Sequence, residues 1–148
     1  MSELRKDPII GRWIIISDSR KLFGNGEISS VIRKENPKCP FCVGKEGMTP
    51  PEIVAYRDAK TKPNTPGWRV RVVPNKFAAL RIEDKLSRQG EGMYDKMSGT
   101  GAHEVIIETT NHTDSLVDLP LEILSEVYFM YRERIMDLKK DERFKYIL

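Results

Sequence analysis

Cys39-Pro40-Phe41-Cys42 places two thiols two residues apart in a proline-broken segment. Two thiolates at that spacing can face one ion from a tight turn, and Zn2+ takes four such ligands tetrahedrally. The chain has only these two cysteines, so further ligands must be His, Asp or Glu, and its two histidines are His103 and His112. Those two flank a segment that reads as a strand, up to about 30 Å from end to end, so one of them, not both, is expected to reach the same ion. Two other uses of the thiols stay open on the residues alone. A thioredoxin-type redox pair opens a helix, and Pro40-Phe41 followed by Val43-Gly44 is a poor helix start; the thiols could also be incidental. His103 by itself reads as a hydrogen-bonded structural histidine.

Phosphate and base recognition has weaker signals. Gly99-Thr100-Gly101 lacks the G-x-G-x-x-G spacing and the Lys-Ser/Thr ending of a phosphate loop, and it precedes a strand, not a helix. Its glycines are expected to serve a turn. Asn75-Lys76-Phe77, just past Pro74, offers an amide, a cation and an aromatic face at a strand end, a trio suited to a ribose or base and equally an ordinary polar turn. Arg20, after the first strand, is an available phosphate ligand, or a solvated surface arginine.

The composition narrows the classes. Hydrophobic residues are 39% and charged residues 32% of 148, enough apolar content for a packed core and too much for wholesale disorder. The net charge is +3, with Lys and Arg interleaved with Asp and Glu, so no basic stripe for nucleic acid is expected. No apolar run approaches the roughly 20 residues that span a bilayer. Met1 to Asp7 lacks the apolar core of a secretory signal. A cytoplasmic location is the expectation, and a reducing compartment favours metal or redox chemistry over a disulfide.

Several elements must position these groups. Trp13-Ile14-Ile15-Ile16 reads as a buried strand, and Glu52 to Arg57 as a second. Trp68-Arg69-Val70-Arg71-Val72-Val73 alternates apolar and basic residues, the pattern of a half-buried strand ended by Pro74. The stretch 82–101 is polar and reads as a mobile excursion. Val105 to Thr109 is the next strand. Leu121, Leu124, Val127 or Tyr128, Tyr131, Ile135 and Leu138 recur every three or four positions, one apolar face of a helix. Asp118 and Pro120 suit its start, Lys139-Lys140 its end. Phe144 to Leu148 alternates like a strand beginning.

In this order, Leu4 to Pro8 with Gly11-Arg12-Trp13, Cys39-Pro40-Phe41-Cys42, Arg71 to Leu80, Gly101 to Thr109 and His112 resemble the N-terminal half of galactose-1-phosphate uridylyltransferases and their ADP-sugar phosphorylase relatives, in the histidine-triad superfamily. The resemblance covers nearly the whole chain. It implies an α/β domain of the α+β type, an antiparallel sheet with one long packed helix, the first of two repeats of a longer enzyme. Residues 1–148 would then stop before a His-x-His motif. It also implies transfer of a nucleoside monophosphate between sugar phosphates through a nucleotidyl-histidine, as in UDP-glucose–hexose-1-phosphate uridylyltransferases, with a nucleotide sugar and a sugar 1-phosphate as partners and a homodimer admitted.

Carried over by residue, the resemblance makes Cys39, Cys42 and His112 ligands of a chiefly structural Zn2+. The fourth ligand and the nucleophile would be the two histidines of His-x-His, absent here, so no catalytic residue is expected in this chain. Asn75 would lie near ribose and base, with Lys76 and Phe77 in the same motif, and Arg20 would contact phosphate or sugar. Three features depart from the uridylyltransferase pattern or lean elsewhere. Leu22-Phe23-Gly24 stands where relatives carry a second Arg followed by Pro, Lys76 stands where many uridylyltransferases have Asp, and Gly101-x-His103-Glu104 looks closer to the phosphorylase branch. The rivals are an ADP-sugar phosphorylase-type enzyme, a non-catalytic zinc-stabilised binding module and a thiol redox protein.

Overall fold

A computed structural model describes residues 2–16 and 38–148. Among the described residues seven strands, β1 (Glu3–Lys6), β2 (Trp13–Ile16), β3 (Val54–Arg57), β4 (Trp68–Pro74), β5 (Arg88–Glu91), β6 (Tyr94–Ser98) and β7 (Glu104–Ile107), precede one long helix, α1 (Leu121–Leu138). The strands form two sheets, β2-β1-β6-β5 and β3-β4-β7, where one was expected. Every strand pair is antiparallel. The fold is therefore the anticipated antiparallel arrangement with one long helix.

β4 is the centre of the three-stranded sheet and the spine of the core. Val70 and Val72 pack with Val127 and Met130 of α1, joined by Val54, Tyr56 and Ile106. On the reverse face Trp68 and Val73 cluster with Ile107, Ala55 and Val105. Simple alternation would put Trp68 on the same face as Val70. The register against β3 slips between Tyr56 and Arg57, so that Arg57 opposes Trp68 while Tyr56 opposes Val70. The extra residue at 69 inverts the parity and delivers the indole to the reverse face.

That face also corrects the half-buried reading of β4: Arg71 is 1% exposed. Its guanidinium donates to Glu52 Oε2 at 2.9 Å, to Thr49 Oγ1 at 3.1 Å and to Asn64 Oδ1 at 3.3 Å. Arg57 grips the same Glu52 with two bonds of 2.5 and 2.7 Å. A buried guanidinium is tolerated because its donors are met and its charge is opposed.

Residues 46–52 thus cover one face of the sheet and α1 covers the other. The helix is tied on by ion pairs, Arg69 to Glu126 at 2.6 Å and Arg134 to Glu104 at 2.8 Å. Tyr131 donates its hydroxyl to Glu108. Tyr56 lies on this face beside Glu133, and burial with that carboxylate pushes its phenol up to about 12. The buried helix positions are Val127, Met130 and Arg134. Leu121, Tyr128 and Ile135 of the anticipated face point outward instead, because the inward stripe is rotated by about one residue.

Three further expectations change. Trp13–Ile16 is a strand but an exposed one, at the edge of its sheet. The polar stretch 82–101 contains a hairpin, β5–β6, turning through Gly92 at φ +62°. Phe144 to Leu148 carries no strand; alternation alone does not make one without a neighbour to pair its backbone.

Candidate metal centre and the loop after β4

The knuckle 39–45 turns tightly: Lys45 N–H donates to the Cys42 carbonyl at 3.1 Å, and Gly44 sits at φ +84°, a conformation that favours glycine. His112 comes from a different part of the chain, the loop after β7. Its neighbour Asn111 fixes that loop, donating its amide to Asp114 at 2.7 Å and accepting from Thr113 N–H at 3.3 Å. The Nδ1 of His112 lies 3.4 Å from Cys42 Sγ.

The three candidate ligand atoms of Cys39, Cys42 and His112 all lie within 4.8 Å of one another. Neither cysteine is in a disulfide, and both are half-buried. With zinc–sulfur and zinc–nitrogen bonds of about 2.3 and 2.0 Å, tetrahedral ligands stand roughly 3.5–3.8 Å apart. The Cys42–His112 separation matches, and the remaining pairs need to close by no more than about 1.3 Å. The donor set of two sulfurs and one imidazole is one that Zn2+ accepts, so the residues present fit the ion.

His103 is held elsewhere. Its Nδ1 accepts the Ala79 N–H at 3.0 Å, its carbonyl accepts the Asn75 N–H at 2.8 Å, and its Nε2 lies 3.1 Å from the Asn75 amide. Asn75 in turn accepts the Phe77 N–H through Oδ1 at 2.8 Å. Of the two histidines, His112 lies with the cysteines and His103 with Asn75 and Ala79. His103 was missed as the organiser of residues 75–79, since nothing in its spacing links it to that loop. Lys76 and Phe77 are exposed, and Phe77 does not pack inward. Arg20 lies outside the described residues.

Asn75, Lys76 and His103 line a cavity of about 650 Å3 with Arg81, Arg134 and Phe144. The Arg134 guanidinium on its wall is held above its ordinary range by the Glu104 carboxylate, then by Asp137. Glu104 pairs with Pro74 at the finish of β4, so this cavity and His112, which follows the far end of β7, belong to opposite ends of the sheet.

No protein-family model matches the chain. Among curated proteins it is 31% identical to an ADP-glucose phosphorylase of Arabidopsis thaliana, over 98% of this chain and 41% of that protein. Over nearly its whole length the chain is homologous to members of the galactose-1-phosphate uridylyltransferase family. A member from Thermotoga maritima, a galactose-1-phosphate uridylyltransferase, is 24% identical over 99% of this chain and 39% of its own length. The crystal structure of an Arabidopsis thaliana ADP-glucose phosphorylase with bound ADP-glucose superposes with a TM-score of 0.56 at 28% identity, covering 99% of this chain and 41% of that one. A uridylyltransferase structure shares the fold at a TM-score of 0.63 and 23% identity, over 97% and 37%. The chain thus spans about 40% of the length of the curated family members it matches.

Proposed function

We propose that the protein carrying this chain transfers a nucleoside monophosphate between a nucleotide sugar and a phosphate-bearing acceptor, with Cys39, Cys42 and His112 as three ligands of a structural zinc. The observation that supports this most is the gathering of those three ligand atoms within 4.8 Å. The ion, when bound, would cross-link the knuckle to the loop after β7.

The chemistry in this reading is the one that the family resemblance implies. An imidazole nitrogen attacks the α-phosphorus, the bond to the bridging oxygen breaks, and sugar 1-phosphate leaves with the electron pair. An acceptor phosphate oxygen then attacks the same phosphorus and the P–N bond returns its pair to the imidazole. Splitting one transfer into two is the use of a covalent intermediate. Neither histidine here is placed for that role: His103 is tied to Asn75 and Ala79, and His112 stands with the thiols. The nucleophile and fourth metal ligand therefore belong to a His-x-His beyond Leu148 in this reading, and residues 1–148 form the first of two repeats.

The adenylyl branch is favoured over the uridylyl branch by the 31% against 24% identities. In this reading Asn75, Lys76 and Phe77 approach the nucleoside, and Arg20 the phosphates. A cytoplasmic homodimer completes the proposal. The test uses the full-length protein with ADP-glucose or UDP-glucose labelled in the α-phosphate. An acid-labile protein label from ADP-glucose, discharged by inorganic phosphate, is expected. A label from UDP-glucose alone moves the protein to the uridylyl branch, and no label from either removes the covalent route. Cobalt substitution checks the metal separately: thiolate charge-transfer bands are expected, lost in the Cys39→Ala, Cys42→Ala double variant.

A further inference from the structure

We propose that Glu46 is the positioning residue that locks the metal-binding knuckle onto β4, so that metal occupancy and the seating of Trp68 are coupled. The inference rests on the reading that Cys39, Cys42 and His112 hold zinc.

Glu46 lies four residues after Cys42 and is 5% exposed. A single oxygen, Oε1, accepts two N–H groups: Gly44 of the knuckle at 3.1 Å and the Trp68 indole at 2.8 Å. The Gly44 bond clamps the turn that leaves Cys42, whose own carbonyl accepts the Lys45 N–H. The Trp68 bond reaches the residue that the β4 bulge turned toward this face. The Glu46 carbonyl meanwhile accepts the Thr49 hydroxyl at 3.0 Å, and that hydroxyl accepts from Arg71 at 3.1 Å. One residue thus joins the knuckle to the first and fourth residues of β4.

A carboxylate is a costly choice for a purely structural acceptor in such a place. It is supported here because Glu46 and Glu52 stand against Arg57 and Arg71, two charges of each sign. Removing the Glu46 side chain leaves two N–H groups without their acceptor and frees the turn that aims Cys42. Groups that orient metal ligands from behind commonly change affinity by about 10–100-fold when lost. Coupling is reciprocal, so a metal that tightens the knuckle must also alter the surroundings of Trp68.

The experiment measures zinc affinity of the full-length protein under reducing conditions, by competition with a chromophoric chelator, in the parent, E46A, E46Q and W68F. E46A is expected to bind zinc about 10–100-fold more weakly. E46Q keeps an oxygen for both N–H groups and is expected within about fivefold of the parent. W68F leaves Gly44 anchored and falls between. The Trp68 emission, taken as the difference from W68F, is expected to shift on zinc binding in the parent and not with E46A. Parent-like affinity in folded E46A overturns the proposal. If E46A fails to fold by circular dichroism, W68F decides, and parent-like affinity there overturns it. A parent that takes up no zinc removes the metal site and this inference together, whereas zinc binding indifferent to Glu46 removes only the inference.

Discussion

Glu52 holds two guanidiniums at once, Arg57 through two bonds and Arg71 through one, with its side chain 5% exposed. Removing it deprives buried Arg71 and half-buried Arg57 of the carboxylate they share. Glu52→Ala is expected to destabilise the chain by about 3–5 kcal/mol, read by urea denaturation. Arg71→Met, which removes a cation and keeps the bulk, is expected to cost less. Glu46 carries a pH signature. Burial pushes its carboxyl up, but the Trp68 indole, the Gly44 N–H and Arg71 together hold it below its ordinary value of 4.5. The folded form therefore binds its proton less readily than the unfolded form. Its contribution is fully present above about pH 4.5 and is lost as pH falls through the lower folded value. Glu46→Gln is expected to flatten that part of the acid unfolding profile, followed by near-ultraviolet circular dichroism; a profile as steep as the parent's contradicts this assignment. At this scale the Cys39–Cys42 pair was legible because thiols are rare and their spacing is chemical, whereas the choice of His112 over His103 came only from the family resemblance. Glu46 was not, because an acid in a polar loop looks solvated until its indole partner is known.

β4 and α1 were both visible from periodicity, yet each was misread in orientation. Charge on a strand is ordinarily assigned to water, so Arg71 was placed outside. Its burial depends on Glu52, Thr49 and Asn64, which no local pattern connects to it. The helix showed its 3.6 period, but Phe129, Ile135 and Met136 on its outer side are apolar as well, so the stripe had no sharp edge and its centre was displaced. Met130 and Val127 are where α1 meets β4. Met130→Ala is expected to cost about 2–5 kcal/mol, against under about 0.5 for Met136→Ala on the outer face, measured by denaturant titration. The β5–β6 hairpin was invisible for another reason. Arg88 to Glu91 is exposed on both faces, so it offers no alternation to detect. Gly92 was the one local cue, and glycines in polar stretches are common.

Across the whole chain, metal, knuckle and sheet are expected to behave as one thermodynamic unit. Anything that binds the folded form alone stabilises it, by about 2.7 kcal/mol at a hundred dissociation constants of free ligand. Chelation is expected to lower the melting temperature of the zinc-loaded chain, and His112→Ala to abolish most of that difference; equal melting curves with and without chelator refute the linkage. The segment 99–101 links β6 of one sheet to β7 of the other. Gly99 N–H donates to the Ser2 carbonyl, while the Gly99 carbonyl accepts the Arg81 N–H and the Arg81 carbonyl accepts the Gly101 N–H. A Cβ at Gly99 would come within 2.9 Å of the Ser2 carbonyl oxygen, and one at Gly101 within 2.8 Å of Leu80. The demand is for room, since neither glycine has a positive φ. In a library randomised at both positions and sorted for folded chains, 99 should come back almost purely glycine, whereas 101 should admit alanine, because a leucine tip can swing aside and a main-chain oxygen cannot.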